Sequence, residues 1–201
     1  MPIAADLRSF SDDAPPEGRS PYLVPPSRTP IAVVPYDEAW PGRFAQISAH
    51  IRGLLGARAL RIEHVGSTSV PGLAAKPIID IDLTVADPAD EDAYIPALTA
   101  AGWVHTVREP WWYEHRMLKL TDPLVNLHVF GPDSPETWRH TILREHLSRD
   151  PADREQYAAI KRESALLATA ARETVDDYNS RKERVLREII GRAMDAAGVP
   201  S

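Results

Sequence analysis

The fold of this chain is decided by residues 62–85, which read IEHVGSTSVPGLAAKPIIDIDLTV. The first part predicts a strand that runs into the turn Gly66-Ser67, and a second predicted strand carries Asp80 and Asp82. Residues i and i+2 of a strand point to the same face, so the two carboxylates stand side by side. The apolar residues of this strand face the opposite way: Ile79, Ile81, Leu83 and Val85.

A hydroxyl-rich turn beside paired carboxylates offers the groups that a metal-bound triphosphate needs. Backbone N–H groups and hydroxyls of the turn would hold phosphate oxygens, and the carboxylates would hold Mg²⁺ or Mn²⁺. Two Asp side chains on one strand face also repel each other unless a cation lies between them. The alternatives are an ordinary tight turn and a solvated strand face. The candidate phosphate-binding residues are Gly66, Ser67, Thr68 and Ser69.

This stretch resembles the GrpB family of the nucleotidyltransferase-fold superfamily. The resemblance rests on the run HVGSTSVPG at 64–72, on Lys76-Pro77 and on the Asp pair, and it extends from about Ile31 to the C-terminus. It implies an α+β fold, with a nucleotidyltransferase-like mixed sheet, flanking helices and a C-terminal helical part. It also implies ATP or another nucleoside triphosphate as co-substrate, with Mg²⁺ or Mn²⁺ on Asp80 and Asp82.

The composition limits the class of protein. A chain of 201 residues with 43% hydrophobic residues has the size and core of one ordinary domain. It contains no run of about 18 apolar residues that would span a membrane, and no secretory signal pattern. The absence of cysteine excludes disulfides and fits a cytoplasmic protein. A net charge of −6 disfavours a broad nucleic-acid surface, so a small-molecule acceptor is expected. The oligomeric state stays open.

Two parts of the chain differ in character. Residues 1–30 hold seven of the 19 prolines and no sustained apolar period, which predicts a flexible extension. The predicted domain covers 31–201. It opens with a helix over 37–55, because apolar residues recur at helical spacing: Trp40, Phe44, Ile47, Ile51 and Leu54.

The order of the later elements predicts an α+β domain. A helical segment is predicted at 89–101, and helices dominate from about residue 134, with starts at Ser134, Asp150 and about Thr174. Strands are predicted at 60–66, 77–86, 102–108, 115–121 and 124–130.

Four further side chains are candidate phosphate ligands. Lys76 precedes Asp80 by four residues, and Arg116 lies on the predicted strand 115–121. Either would hold a phosphate, neutralise the Asp pair or simply be solvated. The resemblance adds Tyr178 and Lys182, which share one helix face and would close over the nucleotide phosphates. The alternative for that pair is the exposed face of an amphipathic helix.

His128 marks a departure from the pattern of many nucleotidyltransferase folds, which carry a third carboxylate on the corresponding strand. A neutral imidazole can ligate a metal or act as a base, but it removes a negative charge from a two-metal site. Altered acceptor chemistry, a one-metal site, nucleotide binding without transfer and a plain packed histidine all stay open. Glu63 or His64 could supply the missing group, and strand alternation allows only one of them to face the site.

The function expected from these residues is Mg²⁺- and nucleotide-dependent group transfer to a small acceptor, assisted by His128 or Glu63. A carboxylate acceptor, activated as an acyl adenylate or acyl phosphate, would need no strong base. The alternatives are a non-catalytic nucleotide-binding module and a metal-dependent phosphohydrolase that uses Asp80, Asp82 and His128.

Overall fold

The structure is a computed structural model that describes residues 4–10, 15–26, 28 and 30–200. Its centre is a five-stranded mixed sheet with the strand order β1-β2-β5-β4-β3. Strands β2 and β5 are parallel, and the other neighbours are antiparallel. All the predicted strands are present, with ends within two residues of the predicted ones. They are β1 (Arg61–Val65), β2 (Ile79–Thr84), β3 (Val104–Glu109), β4 (His115–Thr121) and β5 (Leu124–Phe130).

Helices lie on both faces of this sheet, and in the described part of the chain none is long and apolar enough to cross a membrane. The side of the sheet that carries Ile79, Ile81 and Leu83 packs against α2 and α3 in the main apolar core. On the other side α4 lies against β1, and α5 and α6 pack with α4. The helices are α1 (Ala4–Arg8), α2 (Trp40–Leu55), α3 (Ile95–Ala100), α4 (Pro135–Arg149), α5 (Pro151–Ala171) and α6 (Val175–Ala196).

The ends of the helices follow from their capping residues. Pro41 occupies the first turn of α2, where its missing N–H costs nothing, and Asp37 Oδ1 accepts a hydrogen bond from Ala39 N at 2.9 Å just before the helix. Asp150 caps α5, and Thr174 opens α6 with a reciprocal capping box. The predicted helix at 89–101 is shorter: only 95–100 is α-helical, after a single tight turn at 91–93.

Parts of the N-terminal segment, whose composition predicts a flexible extension, contact the rest of the chain in the structure, while residues 1–3, 11–14, 27 and 29 of the segment lie outside the described residues. The side chain of Leu7 is buried, and Arg139 Nε donates to the Leu7 carbonyl at 2.9 Å. Further along, Leu23 N donates to Thr106 O at 2.9 Å, so this part of the segment pairs with the edge of β3. These contacts are made mostly through the backbone, which leaves no apolar period in the sequence to predict them.

Candidate functional site

The face of β2 opposite the main core carries the two carboxylates. The register of the sheet places Glu63 of β1 opposite Asp82, Asn126 of β5 beside Asp80, and His128 of β5 beside Asp82. Alternation along three adjacent strands therefore brings five polar side chains onto one surface.

The turn after β1 is in direct contact with Asp80. Gly66 has a φ of +67°, and a Cβ atom at this position would lie 2.5 Å from Asp80 Oδ2. Only glycine can therefore occupy this place. The other oxygen, Asp80 Oδ1, accepts a hydrogen bond from Asn126 Nδ2 at 2.7 Å. The carboxylate is thus held between the backbone of the turn and β5, where a phosphate on the turn and a cation on Asp80 would be neighbours.

The hydroxyls of the turn do not all face outward. Thr68 is buried, donates to Ile78 O at 3.3 Å and lies 3.0 Å from His64 Nε2. Ser69 Oγ donates to Gly66 O at 2.6 Å. Both protons are committed to the backbone, so the structure does not support the prediction that Thr68 and Ser69 donate to phosphate. Ser67, which is half-buried, remains the hydroxyl of this turn that a phosphate could reach.

The loop behind this turn is anchored in the C-terminal helices. Val70 and Leu73 are buried in a second apolar cluster with Leu147 of α4, Tyr157 of α5 and Ile189 of α6. The helical part of the chain therefore fixes the position of the turn relative to β2, which gives that part a direct role in shaping the site.

Asp82 is buried and has two unlike oxygens. Oδ2 accepts a hydrogen bond from His140 Nδ1 of α4 at 2.8 Å, whereas Oδ1 is buried and has no hydrogen-bond partner among the described residues. Burial alone would raise the pKa of the Asp82 carboxyl, but the charge and hydrogen bond of His140 hold it below its usual range. An ionised, buried oxygen without a donor is costly. A cation at Oδ1 would remove that cost.

His140 is the counter-charge that the sequence did not reveal. Burial disfavours its protonated form, but the Asp82 carboxylate outweighs this effect and raises the pKa of His140 above its usual value. The pair is therefore an imidazolium and a carboxylate at neutral pH. A second contact holds α4 against the sheet: Arg144 Nη1 donates a hydrogen bond to His64 O of β1 at 2.8 Å.

Three lysines and two tyrosines form a basic cluster near Asp80. Lys76 Nζ lies 5.0 Å from the centre of the Tyr178 ring, and Lys182 Nζ lies 5.3 Å from it. Lys161 Nζ lies 5.1 Å from the ring of Tyr157, which Lys182 also approaches at 5.9 Å. The structure therefore brings together the predicted residues Lys76, Tyr178 and Lys182. Cations over aromatic faces are partly stabilised, but together they favour an anion as ligand.

Lys161 is the most enclosed of these lysines, with 2% of its surface exposed. Burial, followed by the charge of Lys182, lowers the pKa of Lys161 to about 7. Its Nζ donates to Ala74 O at 2.7 Å. A buried ammonium group with no carboxylate hydrogen-bonded to it is stabilised when an anion binds nearby.

We expect Lys161→Met to change how stability depends on pH. Below about pH 7 both the folded and the unfolded chain hold the Lys161 proton, whereas above it only the unfolded chain does, up to about pH 10.4. The unfolded state then binds more protons, so wild-type stability rises with pH by about 1 kcal/mol per unit in this window, relative to the variant. Urea unfolding at pH 7, 8 and 9 measures this difference. Parallel curves for the two proteins would contradict it.

Arg116 lies on the other face of the sheet. Its partner in the register is Val129 of the main core, and its Nε pairs with Glu91 Oε1 at 2.6 Å. A second contact, from Nη1 to Glu114 Oε2, measures 3.1 Å. The prediction that Arg116 contacts a phosphate is therefore not supported, because alternation in β4 turns His115 rather than Arg116 toward the site.

Alternation in β1 decides between the two candidates before the turn. Glu63 faces the site, with Oε2 3.4 Å from Arg144 Nη1. His64 faces the other way and stacks on Phe44 of α2 with ring centres 4.8 Å apart. Its burial lowers the pKa of His64 to about 4. Glu63 therefore lies on the correct face, but its carboxylate already has a cationic neighbour.

His128 lies on the site face, between Asp82 and β4. Its Nδ1 is 3.0 Å from His115 Nε2, and the two rings are nearly parallel, at 20°, with centres 5.2 Å apart. Burial first, and then the proximity of His115, lower the pKa of His128 to about 4. The ring is therefore neutral at pH 7, which is the state that a base or a metal ligand requires.

The sequence model described as GrpB protein matches residues 30–192. The chain belongs to the GrpB family. Among its relatives, a UPF0157 protein of Halalkalibacterium halodurans is 44% identical over 168 residues, which cover 84% of this chain and 85% of that protein. A UPF0157 protein of Streptomyces coelicolor is 37% identical over 168 residues, with 84% and 87% covered.

A solved structure agrees with this assignment. The crystal structure of conserved protein GrpB from Enterococcus faecalis matches with a TM-score of 0.71 and 27% identity, and the match covers 83% of this chain and 99% of that one. The mixed sheet, flanking helices and C-terminal helices of this GrpB-family chain therefore form the predicted nucleotidyltransferase-like α+β fold.

Another relative is much longer than the matched region. A dephospho-CoA kinase of Mycolicibacterium paratuberculosis is 31% identical over 198 residues, which cover 85% of this chain but 48% of the kinase. The present GrpB-family chain contains no G-x-x-x-x-G-K-[ST] sequence, the phosphate-binding motif of P-loop enzymes.

Proposed function

We propose that this GrpB-family chain binds a nucleoside triphosphate such as ATP together with Mg²⁺ or Mn²⁺, and transfers a nucleotidyl or related group to a small acceptor. The observation that carries the proposal is Asp82 Oδ1, a buried carboxylate oxygen without a donor among the described residues. It lies on the same strand face as Asp80, which is in contact with Gly66 of the turn. This combination suits a metal-bound triphosphate better than a structural ion pair.

The residues present fit a hard cation. Asp80 and Asp82 would hold it through carboxylate oxygens, and His140 is already hydrogen-bonded to the other oxygen of Asp82, as expected for a group that orients a ligand. When bound, the cation would neutralise charge on the phosphates during transfer.

The chain's own residues would bind and position the phosphates. The backbone N–H groups of the turn and the Ser67 hydroxyl would face one part of the triphosphate. Lys76 and Lys182, both close to the Tyr178 ring, would neutralise another part. Catalysis would come mainly from this alignment and charge neutralisation.

Of the two groups proposed to assist, His128 suits the role better than Glu63. The carboxylate of Glu63 is already paired with Arg144 at 3.4 Å. The ring of His128 is neutral and is the register partner of Asp82. A carboxylate acceptor, activated as an acyl adenylate, remains the chemistry that requires least from this histidine. The kinase relative supports a nucleotide as partner but does not identify the acceptor.

The second candidate is nucleotide binding without transfer. Two observations favour it: the imidazolium of His140 already pairs with one oxygen of Asp82 at 2.8 Å, and His128 stands beside Asp82 where a two-metal site would need a third carboxylate. In that case the protein would report or buffer a nucleotide for a partner enzyme. Release of pyrophosphate or phosphate in the presence of an acceptor panel separates the two candidates.

We expect the double variant Asp80→Asn/Asp82→Asn to bind Mg²⁺–ATP at least tenfold more weakly than wild type, about 1.4 kcal/mol or more. The reason is that the amides keep the shape of the carboxylates but not their charge. Titration calorimetry with Mg²⁺ and a non-hydrolysable ATP analogue measures the affinity. The matched control is Asp90→Asn/Asp92→Asn, two exposed carboxylates beyond the end of β2. Equal affinity in both double variants and wild type would reduce the Asp pair to a structural feature.

A further inference from the structure

A chain of hydrogen bonds runs across three strands from Glu109 through His115 to His128. Glu109 ends β3, His115 begins β4 and His128 lies in β5. His115 Nδ1 lies 2.7 Å from Glu109 Oε2, and His115 Nε2 lies 3.0 Å from His128 Nδ1. The chain ends at the register partner of Asp82. It therefore leads into the proposed site from the side opposite the turn.

The hydrogen-bonding capacity of each group decides which atom donates and which accepts along this series of hydrogen bonds. An ionised carboxylate only accepts, so the proton between Glu109 and His115 belongs to His115 Nδ1. In a neutral imidazole the second nitrogen is then an acceptor. His115 Nε2 consequently accepts a hydrogen bond from His128 Nδ1. Neutral His128 is left with a lone pair on Nε2.

The surroundings of His115 hold this arrangement in place. The side chain of His115 is 5% exposed, its ring stacks on Phe130 at 4.8 Å, and the edge of Trp112 meets it at 5.1 Å. Aromatic packing on these sides fixes the plane of the His115 ring.

We infer that Glu109 and His115 are positioning residues that fix the tautomer of His128, with its proton on Nδ1 and an acceptor lone pair on Nε2. The catalytic role of this fixed tautomer rests on the proposed function. As the acceptor oxygen or nitrogen bonds to phosphorus, the bond to the leaving pyrophosphate breaks and the acceptor's proton goes to His128 Nε2. A histidine in the opposite tautomer would present an N–H there and could not take that proton.

Nitrogen-15 correlation spectra of the histidine rings at pH 8 test the inference, since this pH lies above the usual histidine pKa of about 6.5. His128 is expected to carry its proton on Nδ1 in wild type. In Glu109→Ala and His115→Phe the proton should move predominantly to Nε2. His105 is a control in the same spectra: its Nε2 lies 2.9 Å from the Val107 carbonyl, so it must carry the proton in every folded variant.

Wild-type His128 with its proton on Nε2 would overturn the inference, even if neither variant folds. So would an unchanged tautomer in both variants while His105 keeps its signal. The spectra need no nucleotide, so the two proposals fail separately. A correct tautomer without turnover on any acceptor would overturn the transferase function alone, and turnover with the opposite tautomer would overturn only the role of Glu109 and His115.

Discussion

Replacing His128 by alanine is expected to lower the rate of group transfer by roughly 10²–10⁴, the range for loss of a positioned acid–base group. Nucleotide affinity should fall far less, because the proposed phosphate site consists of the turn and the lysine cluster and does not include His128. The neutral ring beside Asp82 is the group in place of the third carboxylate. Release of pyrophosphate at saturating Mg²⁺–ATP, measured with an acceptor that wild type uses, gives the rate.

Two further variants make this result specific. His105→Ala removes a histidine of β3 whose register partner is Leu118 of the main core, and should leave the rate unchanged. His128→Asp restores a carboxylate, and because the pKa of His128 is already lowered to about 4, close to that of an ordinary Asp at about 3.9, the acidic limb of the pH–rate profile should move by less than about one unit. A His128→Ala protein that melts earlier but transfers at the wild-type rate would show that His128 only packs.

The largest effect on stability is expected at Arg139. This side chain is 2% exposed and pairs with Glu136, and its guanidinium also donates to the carbonyls of Asp6, Leu7 and Ser9. Arg139→Ala leaves a mostly buried carboxylate and three carbonyls without their donor, so we expect a loss of about 3–5 kcal/mol. In a domain of this size the melting temperature should fall by about 10 °C. Urea unfolding with an unchanged slope measures the free energy.

Arg149→Ala is the matched control for that variant, because it removes an arginine from the same helix. The side chain of Arg149 is 78% exposed and forms an ion pair with Glu145 at 3.4 Å. Its loss should cost less than about 0.5 kcal/mol. Similar free energies for the two variants would mean that docking of the N-terminal segment contributes little to the fold.

The features that the sequence predicts well are set by residues close together in the chain, through strand alternation and helix capping. Alternation of side chains along 79–85 predicts that the carboxylates of β2 lie on the opposite face from Ile79 and Ile81. The structure confirms this separation, because the two-residue period of a strand is set by backbone geometry. The first residues of α5 and α6 are predicted by equally local signals, since the side chains of Asp150 and Thr174 accept hydrogen bonds from N–H groups two or three residues later.

The rest of the site depends on contacts between distant segments. His140 meets Asp82 across 58 residues, and Lys161 reaches the loop at Ala74 across 87, so neither has a signal near residues 62–85. Arg116 lies away from the Asp pair for a related reason. Which face a strand residue takes depends on the register with its neighbours, and β5 lies between β4 and the Asp pair.

The pairing of the N-terminal segment with β3 has a consequence for how the molecule meets copies of itself. β3 is the last strand of the sheet, and an open last strand is a template for strand addition and aggregation. Here Leu23 N donates to Thr106 O, and Arg108 N donates to Pro21 O, each at 2.9 Å. The N-terminal segment thus covers the edge strand β3 with a short stretch that is flanked by prolines and cannot itself extend the sheet far. A second copy of the chain therefore cannot add a strand at β3 as long as this stretch stays bound.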